Sequence, residues 1–274
     1  MDFLIIGGDT RNLKLADILI QNGHTVQTMA LGEEYSPSLQ APYVIGPMPF
    51  TTDGLMLNAP LAKQPVKLND FTDITKQCKM IIAGKIPKQL RQHFEEQGIL
   101  VYDYLDYEEI NIYNCIPTAE GAIEIAMNTL PITLHGSSAL VIGYGRIGKI
   151  LANKLKLLDV NTVVLCRKNT DHASCEANGL DSIFPYELES NIQKMDVIFN
   201  TAPAPVLDSH KLSKIKKDCV VIDLASAPGG CDFAYGKEAG IKIIHALSLP
   251  GKVAPVTCAN ILYKVIAHII EERS

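Results

Sequence analysis

A chain of 274 residues lies between one large α/β domain and two ordinary ones, and its 47% hydrophobic content is enough for substantial cores. The formal charge of −5 offers no positive field for nucleic acid or an anionic membrane surface, so a small-molecule partner is expected. Seven scattered cysteines without a C-x-x-C pair indicate neither a disulfide framework nor a zinc knuckle; reduced or buried thiols of a cytoplasmic protein are expected.

Met1-Asp2 passes straight into the apolar run Phe3-Leu4-Ile5-Ile6, which reads as a first strand rather than a signal peptide. No apolar stretch approaches the roughly 18 to 20 residues of a membrane span. A helix over Arg11–Asn22 closed by Gly23 follows, then a strand over Thr25–Met29. The proline-rich stretch Pro37–Pro65 has no sustained period and reads as loop and short strands. Strands are expected at Met80–Ala83 and Ile99–Tyr102, with a helix over Pro87–Gln97 between them. Such continuous apolar runs are the pattern of parallel strands buried on both faces.

From Pro117 the period becomes helical: Ala119, Ala122, Ile123, Ala126, Met127 and Leu130 form one stripe, with Thr118 as N-cap. Residues 119–136 are read as an interlobe helix and linker joining a substrate lobe, 1–118, to a cofactor lobe, 137–255. The second lobe opens with strand Ala139–Ile142, a glycine turn, helix Ile147–Leu157 and strand Thr162–Cys166. Further strands are expected at Val197–Asn200, Val220–Asp223 and Ile241–His245, then a loop over Pro250–Pro255. Residues 256–274 form a last helix, whose stripe of Cys258, Ile261, Leu262, Val265, Ile266 and Ile269 is expected to pack back on the first lobe. The fold class is therefore α/β, with two Rossmann-like lobes built on parallel sheets.

The run Gly143-Tyr144-Gly145-Arg146-Ile147-Gly148 follows a strand and opens a helix, the context that a dinucleotide fingerprint needs. Its first glycine makes the tight turn, the second admits the pyrophosphate and the third lets helix and strand pack closely. A tight turn without a ligand would carry the same glycines. At the end of the next strand stand Arg167 and Lys168, where an NAD site usually has Asp or Glu. A guanidinium can bind a 2′-phosphate that a carboxylate would repel, so NADP is expected ahead of NAD. The alternative is a solvated loop pair. Three loops at strand ends, Thr201-Ala202-Pro203, Leu224-Ala225-Ser226 and Leu249-Pro250-Gly251-Lys252, are expected around the nicotinamide end, although ordinary turns look similar.

Taken together, Gly7-Gly8-Asp9-Thr10-Arg11, Pro117-Thr118-Ala119-Glu120-Gly121-Ala122-Ile123, Val141-Ile142 with the glycine turn, Asp223-Leu224-Ala225-Ser226 and Leu249-Pro250-Gly251-Lys252-Val253-Ala254-Pro255 resemble the dipicolinate synthase A-subunit family. The resemblance spans nearly the whole chain and is weakest over Glu33–Lys76. A more distant architectural likeness is to alanine dehydrogenase. What the resemblance implies is oxidation of a dihydrodipicolinate to pyridine-2,6-dicarboxylate in the mother-cell cytoplasm of a sporulating bacterium. It also implies a partner, the flavoprotein-like B-subunit; a homo-oligomer is expected besides.

A dicarboxylate substrate needs cationic or amide donors, because a buried unpaired charge is costly. Arg11 is the first choice and Lys252 the second, with Asp9 and Glu120 as groups that could orient substrate or take a proton. Each has a plainer reading: Arg11 as a helix start, Lys252 as a solvated charge, and Glu120 as a carboxylate in the first helical turn that satisfies the dipole. The seven histidines show no metal-ligand spacing, and His245 is expected in a core or supporting role.

Overall fold

A computed structural model describes residues 1–32 and 41–272. Its contacts divide the chain into two compact units, residues 1–114 with 254–274, and residues 115–253.

The first unit runs β1 (Asp2–Ile6), α1 (Thr10–Gln21), β2 (Thr25–Met29), β3 (Tyr43–Ile45), α2 (Leu68–Thr75), β4 (Met80–Ala83), α3 (Lys88–Glu96), β5 (Leu100–Asp103) and α4 (Glu108–Tyr113). Among the described residues its sheet has five strands in the order β2-β1-β3-β4-β5, all parallel. Phe3 and Ile5 of β1 face one core, while Leu4 and Ile6 face the other. Both faces are covered, which is why these strands read as unbroken apolar runs. Within Pro37–Pro65 the short strand is Tyr43–Ile45; the part that falls in 33–40 lies outside the described residues.

The second unit runs α5 (Cys115–Thr129), β6 (Ser138–Ile142), α6 (Arg146–Leu157), β7 (Asn161–Leu165), α7 (Asn169–Ala177), β8 (Asp181–Ile183), α8 (Leu188–Ile192), β9 (Val197–Asn200), α9 (Ser209–Leu212), β10 (Val220–Asp223), α10 (Phe233–Glu238), β11 (Lys242–His245) and α11 (Leu249–Val253). Its six strands, counted among the described residues, lie in the order β11-β10-β9-β6-β7-β8, every pair parallel. This is the doubly wound dinucleotide-binding order, whose direction reverses between β6 and β9.

The chain ends in α12 (Pro255–Glu271), which belongs to the first unit as expected of a returning helix. Ile261, Leu262, Val265, Ile266 and Ile269 join Phe3, Ile5, Leu15 and Leu19 in one core. Burying each such side chain contributes about 1.5–3 kcal/mol relative to exposure.

Three expectations are corrected. The helix read from Pro117 begins at Cys115, so Thr118 is not its N-cap and Glu120 lies beyond the first turn. Proline is tolerated in a helix's first turn, where backbone N–H groups have no intrahelical partner, so Pro117 did not mark the start. The stretch 119–136, expected as an interlobe linker, belongs to the second unit. Its stripe is buried there except at Met127, which is exposed: Ala119, Ala122, Ile123, Ala126 and Leu130 share a core with Leu151 and Leu155 of α6. The loop expected over Pro250–Pro255 is instead α11 followed by the start of α12. A Cβ on Gly121 would lie 3.0 Å from Val253 Cγ1 and 3.3 Å from Leu249 Cβ, so this glycine lets α11 pack closely on α5 and overrides the local turn signals.

Candidate functional site

The loops after β6 and β9 flank the reversal point of the second sheet, where open α/β sheets bind ligands at their strand ends. Gly143 has φ +97, a left-handed conformation that favours glycine, and a Cβ there would meet Thr201 Oγ1 at 2.7 Å. The Thr201 hydroxyl donates to Ile142 O at 2.9 Å and so ties the two loops together. A Cβ on Gly148 would fall 2.1 Å from Gly143 O, so only glycine allows α6 to approach the strand this closely. Gly145 is different. A Cβ there would meet nothing within 4 Å, which leaves open space at the N-terminus of α6. Backbone N–H groups at a helix start beside open space are what a pyrophosphate requires, and the residues fit that group.

The remaining turn residues divide by environment. Tyr144 is buried with Cys166 and Cys175 in the second unit's core, and Lys149 Nζ lies 5.4 Å from its ring centroid. Its side chain therefore anchors the turn from beneath. Ile147 packs against the same core, and Arg146 is exposed at the start of α6. Burial, then the neighbouring Cys175 and Asp171, pushes the Cys166 thiol up to about 12. It is thus a packed thiol and not a nucleophile at neutral pH.

Arg167 and Lys168 follow β7 in exposed positions, with Lys168 as N-cap of α7. Two cations at the start of a helix suit a bound phosphate doubly, through their own charge and through the helix end.

The loops after β9 and β10 are organised by two residues that sequence reasoning treated only as strand ends. Asn200 and Asp223 are both fully buried, and the Asn200 amide donates to Asp223 Oδ1 at 2.8 Å. Asp223 also accepts from Ala225 N at 3.0 Å and Gly230 N at 2.7 Å. Ala202 N donates to Asn200 Oδ1 at 3.2 Å, and Leu224 N donates to Asn200 O at 2.8 Å. Ala202, Leu224 and Ala225 are thus fixed to one buried pair, Thr201 is held to Ile142, and Pro203 is exposed just beyond. His245 donates from Nε2 to Ala225 O at 2.9 Å and packs on Phe233, the supporting role expected of it. The available signal was a polar residue closing each of two apolar strands.

In the first unit, Asp9 N-caps α1 and grips Arg11. Arg11 Nε and Nη2 donate to its carboxylate at 2.9 Å each, and Nη2 also donates to Met48 O at 2.8 Å. These residues flank the reversal point between β1 and β3 of the first sheet. Burial acts to raise the Asp9 carboxyl, but its bonds and charge interaction with Arg11 outweigh it and hold it below the ordinary value. Asp9 is therefore a weak base. Among the described residues, the bonds of the Arg11 guanidinium use Nε and Nη2, leaving the Nη1 edge for a further acceptor.

The other two expected groups belong to the second unit. Glu120 is exposed and accepts from Lys154 Nζ of α6 at 2.8 Å, an ion pair within the second unit. Lys252 is exposed on α11. Among the described residues no group of side chains has metal-ligand geometry, and no helix is long and apolar enough to cross a membrane.

Comparison with known proteins agrees with this division. Residues 2–105 match the family model of the N-terminal domain of the dipicolinate synthase A-subunit. Residues 118–228 match that of the D-isomer specific 2-hydroxyacid dehydrogenase NAD binding domain. The second unit is therefore an NAD(P)-binding domain. The solved structure of the dipicolinate synthase A-subunit from Bacillus halodurans superposes with a TM-score of 0.86 at 26% identity, over 98% of this chain and 97% of that one. Its counterpart from Bacillus subtilis gives 0.84 at 28% identity, over 99% of this chain and 96% of that one. A transhydrogenase from Sinorhizobium meliloti, with a TM-score of 0.72 at 13% identity over 98% of this chain and 93% of that one, shares the fold alone. In sequence, the dipicolinate synthase A-subunit of Bacillus subtilis (strain 168) is 31% identical over 283 residues, covering 98% of this chain and 95% of that protein. The chain belongs to the dipicolinate synthase A-subunit family.

Proposed function

We propose that this protein oxidises a dihydrodipicolinate to pyridine-2,6-dicarboxylate with NADP⁺, as the nucleotide-binding half of a two-subunit synthase. The observation that carries the cofactor choice is the pair Arg167 and Lys168 after β7, where an NAD site would place a carboxylate. In the balanced reaction one ring C–H leaves as hydride, the accompanying ring hydrogen leaves as a proton, and the ring becomes aromatic. Bound NADP⁺ supplies the hydride acceptor.

The chain's own residues do the rest. The turn Gly143–Gly148 holds the pyrophosphate, and Arg167 with Lys168 holds the 2′-phosphate. The loops tied to Asn200 and Asp223 line the nicotinamide end. Arg11, preset by Asp9, offers its Nη1 edge to one substrate carboxylate. Glu120 acts indirectly by holding Lys154 on the cofactor helix α6. Aromatisation drives the reaction forward, and this chain works beside a flavoprotein-like B-subunit in the mother-cell cytoplasm during sporulation.

The test supplies freshly made dihydrodipicolinate and NADP⁺ to the purified chain, alone and with the B-subunit, and follows pyridine-2,6-dicarboxylate by ultraviolet absorbance. Product formation that needs this chain is expected. No product in either case overturns the reading.

A further inference from the structure

The loops of the second unit are organised around a buried negative charge that no cation among the described residues balances. Asp9 is matched by Arg11, and Asp196 by Lys216 at 2.7 Å. Asp223, in contrast, is fully buried, and its nitrogen donors among the described residues are neutral: the Asn200 amide, Ala225 N–H and Gly230 N–H. Both of its oxygens accept N–H bonds, as an ionised carboxylate does. Its field reaches outward. Burial first, and the Asp223 charge second, push the neighbouring Cys231 thiol up.

A dinucleotide in a doubly wound sheet spans the reversal point, with one half on each side. The side that carries Arg167 takes the adenosine half, so the nicotinamide half belongs to the loops after β9 and β10 that Asp223 organises. The oxidised nicotinamide ring is a cation and the reduced ring is neutral. We propose that Asp223 sets the preference of this site for the oxidation state of its cofactor, its unbalanced buried charge favouring the cationic oxidised ring over the reduced one. The inference rests on the NAD(P)-binding reading of the second unit and on no assumption about substrate. A site biased in this way captures NADP⁺ and releases NADPH, as an enzyme that oxidises its substrate requires. For a separation on the order of 10 Å at an effective dielectric of about 20, Coulomb's law gives about a tenfold bias.

The test measures Kd for NADP⁺ and for NADPH separately, by calorimetry and without substrate, in the wild type and in Asp223→Asn and Asn200→Ala. In Asp223→Asn the ratio Kd(NADP⁺)/Kd(NADPH) is expected to rise about tenfold. Asn200→Ala loosens the same loops but keeps the charge, so both Kd values should rise together with the ratio constant to within about twofold. A purely structural role for Asp223 would move both Kd values equally in Asp223→Asn, and that result overturns the inference. Should Asp223→Asn fail to fold, the paired exchange Asn200→Asp with Asp223→Asn keeps one carboxylate and one amide between the same strands. Its ratio is then expected within about twofold of the wild type, and a tenfold rise overturns the inference. Absence of binding to either dinucleotide by the wild type overturns this inference together with the cofactor reading, whereas normal binding with an unmoved ratio in Asp223→Asn overturns the inference alone.

Discussion

Gly145→Ala and Gly148→Ala separate binding from folding within one turn. A Cβ on Gly148 would sit 2.1 Å from the Gly143 carbonyl oxygen and 3.0 Å from its carbon, against backbone that cannot move aside without unseating α6. Overpacking of that kind costs about 1–3 kcal/mol, which lowers a melting temperature by about 2–4 °C per kcal/mol in a protein of this size. Gly145 has ordinary extended backbone and nothing within 4 Å of a built Cβ, so Gly145→Ala should leave the free protein's stability within about 0.5 kcal/mol of wild type. A methyl group there occupies the space left for the pyrophosphate, and dinucleotide affinity should fall by about tenfold or more, or about 1.4 kcal/mol per decade. The assay pairs thermal unfolding without ligand with titration by NADPH fluorescence, which no tryptophan obscures because the chain has none. Gly145→Ala binding NADPH as tightly as wild type would refute the placement of the pyrophosphate, and Gly148→Ala melting like wild type would refute the packing argument.

Arg167→Asp should weaken NADP⁺ by at least about tenfold relative to NAD⁺; equal losses of both, by calorimetry, would show that the residue does not read the 2′-phosphate. Ile266→Ala in α12 removes a fully packed side chain from the first unit's core and should cost about 2–5 kcal/mol in denaturant unfolding, and a loss below about 1 kcal/mol would show that this helix is loosely docked. The folded-state value of Asp9 is depressed below the ordinary 3.8, so its pairing with Arg11 stabilises the protein above that pH and the contribution fades as pH falls through the depressed value. Asp9→Asn should therefore be less stable than wild type at neutral pH and lose less on acidification to about pH 2.5, as read from urea midpoints. Parallel acid limbs for the two proteins would refute that assignment.

Much of this protein was legible in its sequence. Strands buried on both faces write themselves as apolar runs, so β1, β4, β6, β9 and β10 stood out; the third glycine of the turn at Gly148 follows from packing that local spacing expresses. The stripe of α12 required burial and found it against β1 and α1. What the sequence could not show depended on neighbours distant in the chain. The edge strand β8, Asp-Ser-Ile, has too little apolar character to announce itself and exists because β7 pairs with it. The α11 segment Leu-Pro-Gly-Lys-Val carries turn signals and is helical because Gly121 makes room for it. Glu120, which local pattern offered for chemistry, is tied to Lys154, and Asp223 gains its role only because parallel pairing sets it beside Asn200 of the adjacent strand. Periodicity reports which face of an element is buried, but a hydrogen-bond partner is chosen by the register between elements, and only the tertiary structure decides that.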